Sequence, residues 1–221
     1  MESWENPIET GEVPVDGSRF DVIVVGGGPC GAAAAAYHSM NGCKVLLIEK
    51  EVWPRDKPCG DAVGGKSLSH VKELGVKTMI EDTPHFRVDS IVFGSANGSS
   101  VKVMLPKEEF EKKMAGYSLP RVQFDYMMFK RSSELVREYG GHVIQGFSVN
   151  EVISEENGEG NRITGVAGKL GGRRSNSPDL PFRASVTIAA AGYNCPVSRK
   201  IVELNEAPHN ENEHFCGGYR E

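Results

Sequence analysis

The chain has 221 residues, enough for one large domain or two small ones and for a core that needs no disulfide or metal staple. Its 25 Lys and Arg against 30 Asp and Glu leave a net charge of −5, so no global cationic field exists to hold a nucleic acid. Apolar residues at 39% and charged residues at 25% describe a soluble globular chain. No run approaches the roughly 20 apolar residues of a membrane span, so any membrane contact is expected to be peripheral.

Residues 1–19 show no hydrophobic period and pass through Asp16-Gly17, so they are expected to form a flexible arm without the features of an export signal. Residues 20–25 are an apolar, β-branched run ahead of glycines, the pattern of a strand buried on both faces of a parallel sheet. A helix follows: Pro29 fits its first turn, Ala32 to Ala36 favour helix and close packing, and Gly42 ends it. Residues 44–49 repeat the buried-strand pattern, completing a βαβ unit.

Residues 51–65 have no period and carry Pro54, Pro58, Gly60, Gly64 and Gly65, which predicts a long loop. Residues 86–93 and 100–105 predict a hairpin around a turn at 94–99, where Asn97-Gly98-Ser99 reads as turn rather than glycosylation sequon. Residues 122–139 predict a helix with Met127 and Met128 in the core. Three strand-like runs at 142–153, 162–170 and 183–190 predict a meander that crosses back into the sheet. The six histidines and five cysteines show no metal-ligand spacing and no CxxC pair, so no metal is expected and the compartment reads as reducing and cytoplasmic. Arg173-Arg174 reads as a solvated loop more readily than as a phosphate or headgroup site.

The turn inside the βαβ unit carries the chemistry. Gly26-Gly27-Gly28-Pro29-Cys30-Gly31 fits GxGxxG: Gly26 allows the tight turn, Gly28 lets a pyrophosphate reach the backbone, and Gly31 lets helix and strand pack closely. The N–H groups of the helix start then face the phosphates. Glu49 ends the second strand, 23 residues beyond Gly26, where a carboxylate accepts hydrogen bonds from a ribose and repels a 2′-phosphate. FAD or NAD is therefore expected rather than NADP. Lys50 beside it either blunts that repulsion or is solvated.

Four motifs in order resemble the geranylgeranyl reductase family of flavoproteins, especially the archaeal enzymes that saturate the isoprenoid chains of ether lipids. They are the glycine turn, Pro54-Arg55-Asp56-Lys57-Pro58-Cys59-Gly60-Asp61, Arg121-Val122-Gln123-Phe124-Asp125, and Ala189-Ala190-Ala191-Gly192-Tyr193, whose Ala191 departs from the family pattern. The resemblance implies an α/β fold: a Rossmann-like FAD-binding domain of the p-hydroxybenzoate hydroxylase and glutathione reductase class, with a β-meander and the start of an antiparallel substrate-domain sheet. It divides the chain into an arm at 1–19, an FAD-binding domain at 20–200 with an inserted substrate-side hairpin at about 84–120, and a truncated start of the substrate domain at 201–221.

The same resemblance implies FAD as cofactor, held by Gly26, Gly28, Pro29, Cys30, Gly31, Glu49, Lys50, Arg121, Ala191 and Gly192, with Cys59, Gly60 and Asp61 beside the flavin ring as catalytic positions. It implies hydride transfer from reduced flavin to an isoprenoid double bond. The partners implied are a prenyl lipid as substrate and an external electron donor, ferredoxin or NAD(P)H. On their own chemistry, Cys59 is either redox-active or inert, Asp61 an acid or a turn cap, and Arg121 a cofactor ligand or a surface ion pair. Two other readings stay open: another flavoenzyme of this fold, monooxygenase or halogenase, and a non-catalytic nucleotide-binding remnant. The Cys59-Gly60 loop favours the reductase. The later half carried by this family, with a Gly-Asp motif and an apolar substrate channel, has no counterpart after Gly192, and residues 214–221 read as the opening of a further strand.

Overall fold

A computed structural model describes residues 4–106, 116–157, 160–172 and 174–204. A six-stranded mixed sheet forms its centre, in the order β8-β2-β1-β11-β10-β9. Strands β1 (Arg19–Val25), β2 (Val45–Ile48), β8 (His142–Ile144) and β11 (Leu180–Ala189) run parallel, while β9 (Phe147–Asn157), β10 (Gly160–Leu170) and β11 form the antiparallel meander. Helix α1 (Pro29–Met40) crosses between β1 and β2 as the glycine turn requires.

The period of two decides which side chains go where. Ile23 and Val25 of β1 with Leu46 and Ile48 of β2 join Phe147, Val166 and Phe182 of the meander on one face. Val22, Val24, Val45 and Leu47 pack on the other face beneath α1 and α4 (Arg121–Glu138), against Tyr126, Phe129 and Val136. Each such aliphatic side chain contributes roughly 1.5–3 kcal/mol by leaving water. Ala32, Ala35 and Ala36 are fully buried, and their small size is what lets α1 sit this close to the sheet. Met127 and Met128 are core residues of α4.

The described residues differ from the sequence expectations in four places. The run at 142–153 is two strands, not one: Gly146, at φ +69, breaks it, and the buried Gln145 holds the corner. The loop at 51–65 ends in a short strand, β3 (Ala62–Val63), which pairs with β7 (Tyr117–Ser118), itself paired with β4 (Phe86–Arg87). Between them, α2 (Ser67–Glu73) and α3 (Val76–Glu81) pack Val71, Val76 and Ile80 against α4; helices this short give little periodicity to read. Helix α5 (Pro196–Leu204) follows the last strand, so residues 201–204 are helical, and the remainder of the 201–221 segment lies outside the described residues together with Arg173 and Cys216.

Residues 4–18 form no helix or strand, and β1 already begins at Arg19 of the expected arm, yet residues 4–14 are anchored. Ile8 is buried, its carbonyl accepts from Gln145 Nε2 at 2.7 Å, and Gly11 N donates to Val143 O at 3.0 Å. Hydrogen bonds and the apolar contacts of Ile8, Trp4 and Val13 do here what periodicity does elsewhere. The hairpin β5 (Ser90–Gly94) with β6 (Ser100–Met104) has every residue exposed except the half-buried Ser90. Its pairs Ile91–Val103 and Phe93–Val101 put four apolar side chains on one face. No helix among the described residues is long and apolar enough to cross a membrane.

Candidate functional site

The site begins at the C-terminal ends of β1 and β11, where open α/β sheets bind ligands. Gly26 leaves β1 at φ +110, and a Cβ there would stand 2.4 Å from Ala190 O and 2.6 Å from Ala191 Cα. A Cβ on Gly31 would stand 1.8 Å from Gly26 O. Both glycines are thus demanded by close backbone approach. The middle glycine, Gly27, had no assigned role, but a Cβ on it would strike the Phe129 ring at 2.5 Å, so α4 requires it as well.

Gly28 is the N-cap of α1, with Pro29 and Cys30 at its first two positions. A Cβ on Gly28 would have Arg55 NH2 as its nearest neighbour, at 3.7 Å. Glu49 is 5% exposed, and both its oxygens are engaged: Oε2 accepts from Gly27 N at 2.6 Å and Oε1 from Glu51 N at 3.0 Å. Lys50 points outward to an ion pair with Glu51 at 3.4 Å.

The loop after β2 returns across this turn. Trp53 is buried, its backbone N–H donating to Gln145 Oε1, and its ring stacks on Phe129 at 5.1 Å. The Arg55 guanidinium lies 4.3 Å from the Trp53 ring. Lys57 Nζ stands 3.3 Å from where a Cβ on Gly192 would be, and Gly192 itself turns at φ +78. Ala191 and Gly192 are exposed at the end of β11.

Cys59, Gly60 and Asp61 are exposed and meet the start of α4. Arg121 N donates to Asp61 Oδ1 at 3.0 Å, so this carboxylate caps the helix from 60 residues away. The Arg121 side chain donates to Gly60 O at 3.4 Å and clasps Asp125 Oδ1 through Nε at 2.9 Å and NH2 at 2.8 Å. Burial alone would lower the Arg121 pKa; the hydrogen bond and charge of Asp125, with a smaller contribution from Cys59, hold it above the usual value.

The structure therefore gathers Gly26, Gly28, Pro29, Cys30, Gly31, Glu49, Ala191 and Gly192 around one turn, with Arg121, Cys59, Gly60 and Asp61 in an adjoining cluster. Lys50 stands outside both. Sequence reasoning passed over Trp53 and, although Arg55, Lys57 and Asp125 stood within its motifs, gave them no role of their own. The signal for the first three was an Arg-x-Lys step after an aromatic residue in a Pro/Gly-framed loop, which places cations where phosphates are expected. The chemistry fits a dinucleotide: a glycine cradle at a helix start, two loop cations beside it, and a buried carboxylate at the ribose position.

Residues 19–204 match the FAD binding domain family. The chain is 30% identical over 200 residues to conditioned medium factor receptor 1 of Dictyostelium discoideum, covering 87% of this chain and 37% of that protein. It is 33% identical over 185 residues to a digeranylgeranylglycerophospholipid reductase of Picrophilus torridus, covering 82% of this chain and 41% of the enzyme. The chain thus spans about two fifths of the length of these relatives. Among solved structures, the myxobacterial chondrochloren halogenase superposes with a TM-score of 0.68 at 24% identity, over 81% of this chain and 38% of the halogenase, a likeness of fold.

Proposed function

We propose the following role for this chain, which belongs to the FAD binding domain family and has FAD as its cofactor: it is the FAD-binding part of an oxidoreductase that saturates carbon–carbon double bonds in geranylgeranyl lipids. One observation carries the reading. The loop that resembles the Cys-Gly loop of prenyl reductases, Pro58-Cys59-Gly60-Asp61, is bound to Arg121 through both Gly60 and Asp61. The likeness to the archaeal reductase supports the substrate class; monooxygenase and halogenase neighbours fit the fold and the cofactor equally well and keep that second reading in view.

When bound, reduced FAD supplies a hydride to a double bond. The chain's own residues do the rest. Glu49 receives the ribose hydroxyls; the α1 N-terminus, Arg55 and Lys57 neutralise the diphosphate; and the Cys59 loop closes one side of the ring site against water. The electrons come from an external donor, ferredoxin or NAD(P)H, and the second hydrogen arrives as a proton. The exposed apolar face of Ile91, Phe93, Val101 and Val103 lies on the substrate side, joined through β4, β7 and β3 to Asp61.

The test is anaerobic. The oxidoreductase of which this chain is the FAD-binding part, loaded with FAD and reduced by dithionite, is mixed with a geranylgeranyl lipid and its absorbance followed. Reoxidation of the flavin by the lipid is expected; reoxidation only by oxygen, with the lipid inert, refutes the reading.

A further inference from the structure

Asp125 is 3% exposed, and its two oxygens have different partners. Oδ1 is taken by Arg121 at 2.8 and 2.9 Å, while Oδ2 faces Arg55 NH1 at 3.9 Å, beyond hydrogen-bond reach. The Arg55 side chain is only 13% exposed, and its recorded partners among the described residues are this carboxylate and the Trp53 ring. Its NH2 is also the nearest atom to the open position over Gly28. Two arginines thus share one carboxylate, Arg121 fully and Arg55 loosely, with the unspent donors of Arg55 beside the helix N-terminus.

From this geometry we propose that Asp125 is a counter-ion holding Arg121 and Arg55 in place in the flavin-free chain, and that it yields Arg55 to the diphosphate when FAD binds. The physical reason is electrostatic. Two guanidinium groups in a crevice this dry repel each other and need an anion nearby. A carboxylate that clasped both would leave no donors for the cofactor. At 3.9 Å, Asp125 steadies Arg55 without spending its hydrogen bonds, and the planar fork is already stacked on Trp53 in a fixed orientation. Asp125 is a positioning residue, acting on FAD only through Arg55.

Asp125→Asn tests this, because an amide oxygen still accepts from Arg121 while the charge that holds Arg55 is gone. The flavin-free variant is expected to melt at a lower temperature than the parent. FAD is expected to raise its melting temperature by more than it raises the parent's and to bind about threefold to tenfold tighter, because Arg55 no longer has to be drawn away from a charged partner to reach the diphosphate. Combining the change with Arg55→Met removes that gain. An equal drop in melting temperature with and without FAD, or weaker FAD binding by the Asn variant, overturns the proposal and leaves Asp125 a structural ion pair. A second measurement avoids the variant altogether. In a Trp4→Phe background, inorganic pyrophosphate is expected to shift Trp53 emission, and to leave it unchanged once Arg55→Met is added; an unmoved Trp53 signal with Arg55 present also overturns the proposal. Failure of every protein, the parent included, to bind FAD speaks against the cofactor site itself.

Discussion

Glu49 Oε2 accepts a 2.6 Å hydrogen bond from the N–H of Gly27, so the carboxylate at the end of β2 and the turn after β1 are tied into one unit. The carboxylate proposed to face the ribose and the turn proposed to cradle the phosphates are therefore placed together. Replacing Glu49 with Ala is expected to weaken FAD binding by roughly 1–3 kcal/mol, the scale of a lost charge-assisted pair of hydrogen bonds. Glu49→Gln keeps an acceptor for Gly27 and is expected to lose less stability than Glu49→Ala. FAD titration and thermal melting read the two effects separately, and unchanged FAD affinity in Glu49→Ala contradicts the assignment.

Gly31→Ala tests the close approach of α1 to the turn. Its Cβ would lie 1.8 Å from the Gly26 carbonyl oxygen, and backbone cannot swing aside as a side chain can. A loss of about 1–3 kcal/mol in denaturant unfolding is expected, the usual cost of overpacking, with weaker FAD binding beside it. Gly42→Ala, where a Cβ meets open space at φ +83, carries only the backbone strain and serves as the control.

Cys59 is exposed, and the loop around it is anchored by Gly60 and Asp61. Cys59→Ser is therefore expected to leave the fold intact while altering the flavin spectrum or turnover. A structure with FAD that places Cys59 more than about 10 Å from the isoalloxazine would assign the loop a structural role alone. Asp61→Asn keeps the cap on Arg121 N and so keeps stability; turnover falls in this variant only if the carboxyl is an acid in the site.

Alkaline pH offers an independent check on the small sheet that carries this loop. The Tyr117 hydroxyl is pushed up to about 12, first by burial, then by its 3.0 Å hydrogen bond to Glu81 and the charge of that carboxylate. The unfolded chain loses this proton near 10, so the stabilisation is whole below pH 10 and is lost as pH rises to about 12. A fall on the order of 2 kcal/mol across that window is expected, and Tyr117→Phe is expected to flatten it.

The parts of the fold legible in the sequence are those governed by period and by glycine. β1, α1, β2 and α4 each bury several apolar side chains at regular spacing, and Gly26 and Gly31 stand where backbones nearly touch. α2 and α3 were not legible, because one or two turns leave too few residues to show a stripe. The break at Gln145-Gly146 was hidden because both flanking segments are apolar, and only the positive φ of Gly146 separates them. In the candidate site, the spacing of Glu49 placed it at the end of β2, where the structure ties it to the glycine turn. Arg55 was missed because what singles it out is tertiary: the Trp53 ring beneath it and the Asp125 carboxylate on α4.

The most direct test of the central claim is mass spectrometry of the lipid after reaction. The oxidoreductase of which this chain is the proposed FAD-binding part, holding FAD and supplied anaerobically with a reductant, is incubated with a geranylgeranyl lipid, and the products are resolved by mass. The account predicts products heavier by two hydrogens for each double bond saturated, with none formed when FAD is left out. An oxygenated or halogenated product under aerobic conditions, with no hydrogen added to the lipid under any condition, would contradict it.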